Sequence, residues 1–205
     1  MKRCWIIGAG SVAQGDLPFA YGAEDLIVAA DGGYCHLKQA GMEPHLLVGD
    51  FDSMDRPQVG CEVVTLPVEK DDTDLLAAVK EGFARGYTHF VLLGCLGGDR
   101  LSHTLANVQL LSFIKERGGD GLLVLGGTRV RMLKEETTTY PATQQGSCSV
   151  FAYSEQATLS LDGLYYPLNQ GEITSAFPLG VSNHFIGKEA TVTVHQGTIV
   201  VVIEE

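Results

Sequence analysis

The chain changes texture near Arg131, and that change limits the folds open to it. Up to about residue 133, short apolar runs alternate with segments of helical spacing; from 137 onward only short, alternating, β-rich pieces follow. Runs 4–8, 26–30, 46–48, 62–66, 89–94 and 121–125 read as strands, and 33–41, 72–85 and 102–117 read as helices. Strands separated by helices build a parallel sheet, because a parallel strand can be reached only by a crossover. In the helix at 72–85, Asp71 or Asp72 is the expected N-cap and Asp74 lies in the first turn. Leu75, Leu76, Ala78, Val79 and Phe83 recur at helical spacing, and Gly86 is the stop. The later pieces SCSVFAY, ATLSLDGLYYPL, EATVTVHQG and TIVVVIEE, with turn signals at Asp162-Gly163 and Gln196-Gly197, predict a small sandwich or barrel. The expected fold class is therefore α/β: an N-terminal parallel-sheet α/β domain at 1–133 and a smaller C-terminal all-β sandwich domain at 137–205, joined without a long linker.

Six aspartates in this frame suggest chemistry. Asp31 stands in ADGG, Asp50 and Asp52 in GDFDS, and Asp71, Asp72 and Asp74 in KDDTD. One such Asp is ordinarily a turn or cap residue. Three clusters are harder to explain that way, since gathered carboxylates repel one another and need protons or a cation. Magnesium suits them, because it prefers oxygen ligands and joins a few carboxylates to substrate phosphates. In GDFDS the alternate spacing puts Asp50 and Asp52 on one side of an extended segment, a metal-ligand geometry, with Phe51 turned to the core; a tight turn after a strand is the plainer reading. At 71–74 a helix N-terminus would favour the ionised carboxylates, and Lys70 either meets a phosphate or balances their charge. In an open parallel sheet Asp31, Asp50 and the loop GCLGGDRLSH would all lie at the carboxyl edge, where ligands bind.

Charge narrows the partners. A formal net charge of −11 on 205 residues argues against a general footprint on nucleic acid or an anionic membrane. An anionic substrate must then be met by local cations, backbone N–H groups or metal. Cys4, Cys35, Cys61, Cys95 and Cys148 are odd in number and form no CxxC pair, so reduced thiols are expected. The apolar run at the start is too short for a signal peptide, and no stretch approaches a membrane span; a cytoplasmic location is the expectation.

Three further motifs need weighing. GAGSVA at 8–13 fits a dinucleotide-binding fingerprint, which would make the chain an oxidoreductase. That fingerprint must open a helix, and Gly15-Asp16-Leu17-Pro18 interrupts one at once. GGDRLSHTLAN supplies Gly97 and Gly98, Arg100 and a following helix, suited to clamping a polyphosphate. Ser102 and His103 are adjacent, so on a helix they diverge and make a poor nucleophilic relay; His103 fits better as a cap, a core hydrogen-bonding residue or a phosphate contact. In TSAFPLGVSNHF, Phe177 and Phe185 beside Ser and Asn either form a plain loop or hold a flat heteroaromatic ligand.

In this order, ADGG at 30–33, GDFDS at 49–53, D-x-T-D at 71–74, GG-x-R-x-x-H at 97–103 leading to Asn107, and FPLGVSN at 177–183 resemble the thiamine pyrophosphokinase family. The resemblance implies transfer of the pyrophosphoryl group of ATP to the hydroxyl of thiamine, giving thiamine diphosphate and AMP. It also implies a homodimer whose sites join the α/β domain of one subunit to the β domain of the other. By it, Asp50, Asp52, Asp71 and Asp74 organise Mg2+ and phosphate, Asp31 and Gly32 line the nucleotide cleft, and Gly97, Gly98, Arg100 and His103 meet the phosphates. Ser182 and Asn183 would recognise the thiamine pyrimidine from the partner subunit. The chain departs from the family pattern at Asp99, Ser102 and His184. A non-catalytic binder of thiamine or nucleotide is the alternative that these departures leave open.

Overall fold

The computed structural model describes residues 1–51, 59–67, 71–98 and 100–205, the side chain of Gln14 excepted. The chain divides into two compact units, Met1–Gly126 and Gly127–Glu205.

Among the described residues of the first unit, the strands are β1 (Cys4–Ile7), β2 (Leu26–Ala30), β3 (Leu46–Gly49), β4 (Glu62–Thr65), β5 (His89–Leu93) and β6 (Asp120–Leu125). They lie in the order β6-β5-β1-β2-β3-β4, every neighbouring pair parallel. Their sequences are nearly continuous apolar runs because the central strands are covered on both faces; Ile6, Ile27, Leu47 and Leu92 are fully buried. The helices are α1 (Gly33–Gln39), α2 (Asp74–Ala84) and α3 (Leu101–Glu116).

The start of α2 differs from expectation. Thr73, and neither Asp71 nor Asp72, is the N-cap: its backbone is extended (φ −72°, ψ 156°) and its hydroxyl accepts from the Leu76 N–H at 3.2 Å. A cap must directly precede the first helical residue, and Asp71 and Asp72 stand too far upstream. Asp72 instead pairs with Lys80 at 2.5 Å. Gly86 ends the helix as expected, at φ +76°, a conformation glycine adopts without strain, with its N–H on the Phe83 carbonyl.

Strand order decides where a ligand can bind. From β1 the sheet grows through β2, β3 and β4 to one side, then resumes with β5 on the other side of β1. The loops after β1 and β5 therefore diverge and leave a crevice at the carboxyl ends of these two strands.

The second unit holds two antiparallel sheets. One has the order β12-β9-β14-β7, comprising β7 (Thr128–Lys134), β9 (Ser147–Ala152), β12 (Asn183–His184) and β14 (Thr198–Glu204). The other has the order β11-β10-β13-β8, comprising β8 (Thr137–Tyr140), β10 (Gln156–Asp162), β11 (Leu168–Thr174) and β13 (Ala190–Gln196). Cys148, Val150, Ile199 and Val201 from the first sheet meet Leu159, Leu161, Val192 and Val194 from the second in one buried cluster. Each of the larger side chains contributes roughly 1.5–3 kcal/mol by burial. The fold is an α/β unit followed by a β-sandwich. The unit division falls ahead of β7, which pairs with β14 from Thr128 to Lys134, so the texture change near residue 133 lies inside the second unit.

Candidate active site

A cleft of about 550 Å³ opens in the first unit at the switch point between β1 and β5. Its walls are the glycine loop after β1 (Gly8, Ala9, Gly10), the end of β2 (Ala30, Asp31), the start of α2 (Thr73, Asp74, Leu75), and the segment from Gly94 to Asn107.

Glycine is needed where two backbones cross. The N–H groups of Gly8 and Gly10 donate to the carbonyls of Leu93 and Gly94 at 2.8 and 3.0 Å. A Cβ on Gly94, whose φ is +67°, would lie 2.3 Å from the Gly8 carbonyl oxygen. The ADGG glycines serve the same close packing. A Cβ on Gly33 would lie 1.8 Å from the Ile7 carbonyl oxygen, and one on Gly32 would lie 2.9 Å from the Ala9 Cβ.

Several sequence-predicted residues meet at this cleft. Asp31 leaves β2 in the left-handed region at φ +45°, with its N–H on the Val48 carbonyl at 2.7 Å. Asp74 enters from the first turn of α2. Gly97, Gly98, Arg100 and His103 line the opposite wall, Arg100 immediately before α3 and His103 in its first turn. Asn107 is buried, and its Nδ2 donates to the Cys95 carbonyl at 2.8 Å, tying α3 to the loop after β5.

Other predicted residues stand apart. Asp50, Asp71 and Gly32 are not in the cleft wall. Gly32 backs the glycine loop from behind, Asp71 is exposed, and Asp50 follows β3. Asp52, Ser53, Lys70 and Asp99 lie outside the described residues. Phe51 packs against the core as expected, but its φ of +58° is left-handed. The backbone is therefore not extended at Phe51, the residue on which the alternation expected for GDFDS turns. Among the described residues, no group of three His, Cys, Asp or Glu side chains is arranged to hold a metal ion.

The dinucleotide fingerprint lacks its helix. Ala13 is followed by a 3-10 turn at Gln14–Asp16, and Leu17 returns to extended backbone. The loop nevertheless forms a cleft wall, a role that GAGSVA disclosed only through its glycines.

In the second unit, Ser182 (φ +59°) donates its N–H to the Ser149 hydroxyl at 3.0 Å. Asn183 is buried. Its Oδ1 accepts from the N–H groups of Tyr166 and His184, both at 2.9 Å, and its Nδ2 donates to the Tyr166 carbonyl at 2.8 Å. Phe185 does not face a ligand: it is buried in the sandwich core, edge-on to Tyr140 at 5.4 Å. Phe177 is 65% exposed. Sequence reasoning missed two other exposed aromatics, Tyr165 and Tyr166. Tyr165 stacks on His184 with ring centroids 4.5 Å apart. Their signal was the pair of tyrosines beside a turn, GLYYP, which strand alternation had absorbed.

Comparison with known proteins matches this architecture. A family model described as thiamin pyrophosphokinase, catalytic domain, matches residues 20–120, and one described as thiamin pyrophosphokinase, vitamin B1 binding domain, matches 134–199. The thiamine pyrophosphokinase of Bacillus subtilis strain 168 is 29% identical over 192 residues, covering 86% of this chain and 86% of that protein. The crystal structure of thiamine pyrophosphokinase from Bacillus subtilis is similar with a TM-score of 0.87 at 25% identity, covering 98% of each chain. That of thiamin pyrophosphokinase from Geobacillus thermodenitrificans gives 0.84 at 27% identity, covering 100% of this chain and 98% of that one. With both domain models of one family matched in order over most of its length, the chain belongs to the thiamine pyrophosphokinase family.

Proposed function

We propose that this protein transfers the pyrophosphoryl group of ATP to the hydroxyl of thiamine, with magnesium, as a homodimer. One observation carries the reading: the switch-point cleft combines close-packed glycine backbone, the carboxylates of Asp31 and Asp74, and Arg100. In the reaction, the thiamine hydroxyl oxygen bonds to the β-phosphorus of ATP. The bond from that phosphorus to the α,β-bridging oxygen breaks, and AMP leaves with the bridging oxygen. Such transfers demand mainly positioning and charge neutralisation. Arg100 offers a planar donor fork for phosphate oxygens, and the glycine walls admit the polyphosphate close to backbone. Asp74, as the cleft carboxylate on α2, takes the hydroxyl proton; exposed Asp71 is less suited.

The donor set fits magnesium. Asp74 at the cleft wall, with Asp50, Asp52 and Asp71 from the neighbouring motifs, offers the hard oxygen donors that magnesium prefers, and magnesium ordinarily keeps several waters while joining a carboxylate or two to substrate phosphates. Bound there, magnesium would neutralise charge on the transferring phosphates.

Ser182 and Asn183 are assigned to the thiamine pyrimidine, presented to the cleft of a second copy. Exposed Tyr165, Tyr166, Phe177, Leu179 and Val181 on the second unit support a self-association surface. The chain is placed in the cytoplasm, in keeping with five free cysteines; no helix among the described residues is long and apolar enough to cross a membrane.

AMP release from ATP, measured with and without thiamine and magnesium, tests the activity. Release that requires both is the expected result, and release indifferent to thiamine refutes it. Sedimentation at micromolar concentration tests the dimer, and a monomer there would refute it.

A further inference from the structure

His36 lies on α1, behind the glycine loop. Its Nε2 is 2.8 Å from the Gly10 carbonyl oxygen. A carbonyl can only accept, so Nε2 carries the proton and donates. The loop from Gly8 to Gly10 thus has three anchors. Two are backbone bonds, Gly8 N–H to the Leu93 carbonyl and Gly10 N–H to the Gly94 carbonyl. The third comes from His36, and of these three it alone uses a side chain.

The anchors act in different directions. The two backbone bonds pull the loop toward β5, where a Cβ on Gly10 would come within 2.6 Å of the Gly94 carbonyl oxygen. The His36 bond holds the Gly10 carbonyl, in the next peptide group, toward α1. The helix is itself fixed against the end of β1, because Gly33 leaves no room for a Cβ beside the Ile7 carbonyl. A loop anchored on both sides is ordered before ligand arrives, so binding need not supply that ordering.

We propose that His36 is a positioning residue for the nucleotide: it sets the conformation of the Gly8–Gly10 wall against which the ATP polyphosphate rests. The inference depends on the phosphate reading of the cleft given above. His36 is not in the cleft wall, so it acts through the loop rather than on substrate. Its loss weakens nucleotide binding and leaves thiamine recognition and the chemical step alone.

The test compares His36→Ala, His36→Asn and His36→Gln with the unsubstituted protein. The readouts are steady-state kinetics in ATP and thiamine, and titration calorimetry with a non-hydrolysable ATP analogue. The Ala variant is expected to raise the KM for ATP and the analogue Kd by roughly three- to tenfold, the range one ordinary hydrogen bond supplies. Its kcat and its KM for thiamine are expected to stay within about twofold. Gln carries an N–H near the reach of Nε2 and is expected to restore nucleotide affinity, whereas the shorter Asn is not. If the Ala variant does not fold, Asn against Gln decides the matter. Unchanged nucleotide affinity in Ala or Asn overturns the proposal, as does an equal loss in both substrates that Gln fails to rescue. Should the unsubstituted protein bind the analogue but turn over no thiamine, the proposed activity falls while the Kd comparison still decides the role of His36. If it binds no nucleotide, both fall.

Discussion

Replacing Asn183 separates a scaffold role from a ligand role. Its amide is almost fully committed: both lone pairs of Oδ1 accept backbone N–H groups, and one of the two Nδ2 hydrogens goes to the Tyr166 carbonyl. The network also settles which amide atom is which, because N–H groups face Oδ1 and a carbonyl faces Nδ2. One N–H remains for the thiamine contact proposed above. Asn183→Ala removes three hydrogen bonds at a site only 3% exposed. At about 1 kcal/mol net for each, the loss is about 3 kcal/mol. For a chain of this size that corresponds to a fall in Tm of roughly 6–12 °C. Asn183→Asp keeps Oδ1 but turns an oxygen toward the Tyr166 carbonyl, so it also destabilises the protein. Urea and thermal unfolding of the ligand-free protein measure both. An Asn183→Ala variant as stable as the parent within about 0.5 kcal/mol, yet unable to bind thiamine, would refute the scaffold argument and leave a purely ligand-facing amide.

Asp74→Asn is expected to lower thiamine-dependent AMP release by at least about a hundredfold, while Thr73 keeps the helix capped and the unfolding free energy stays within about 1 kcal/mol of the parent; near-normal turnover would remove Asp74 from the proposed chemistry. Burial raises the Asp25 carboxyl, but hydrogen bonds from the Gly22 and Arg3 N–H groups and the Trp5 indole outweigh it and hold the pKa below the ordinary value of 3.8. A depressed carboxyl contributes stability above its unfolded pKa and loses it as pH falls through the folded one. Asp25→Asn is therefore expected to flatten the decline in urea midpoint below about pH 4, and parallel profiles for parent and variant would contradict this. Burial pushes the thiols of Cys4 and Cys148 up to about 12. Iodoacetamide near pH 8 is expected to label exposed Cys35 in the native protein and to reach these two only after unfolding, as mass spectrometry of native and urea-treated samples would reveal.

Where a strand carries its own signal, it was legible. β1 through β6 are apolar runs that need no partner to be recognised, and β13 shows clean alternation, ATVTVHQ. β7 (TRVRMLK), β8 (TTTY) and β11 (LNQGEIT) were not read as strands, because charged or polar residues break their pattern. They become strands by pairing with distant partners: β7 with β14, β8 with β13, and β11 with β10. At the site, Asp31, Asp74 and Arg100 announced themselves by motif. His36 did not, since a lone histidine in a short helix says nothing about the carbonyl it meets. Phe185 misled because its sequence neighbours are loop residues, whereas its contact is Tyr140.

Sequence alone determined the α/β-then-β architecture, the acidic and glycine motifs, and through their order the family. Those features are local: periodicity, turn chemistry and motif spacing act over a few residues. Tertiary structure decided which motifs converge. Placing β5 beside β1 creates the crevice that joins the Gly8–Gly10 loop to Arg100, and Phe51 takes a left-handed φ of +58° where alternation in GDFDS supposes extended backbone. It also committed Asn183 to the backbone of Tyr166. Such choices depend on strand order and on the need to pair every buried polar group, and both are set by residues far apart in the chain.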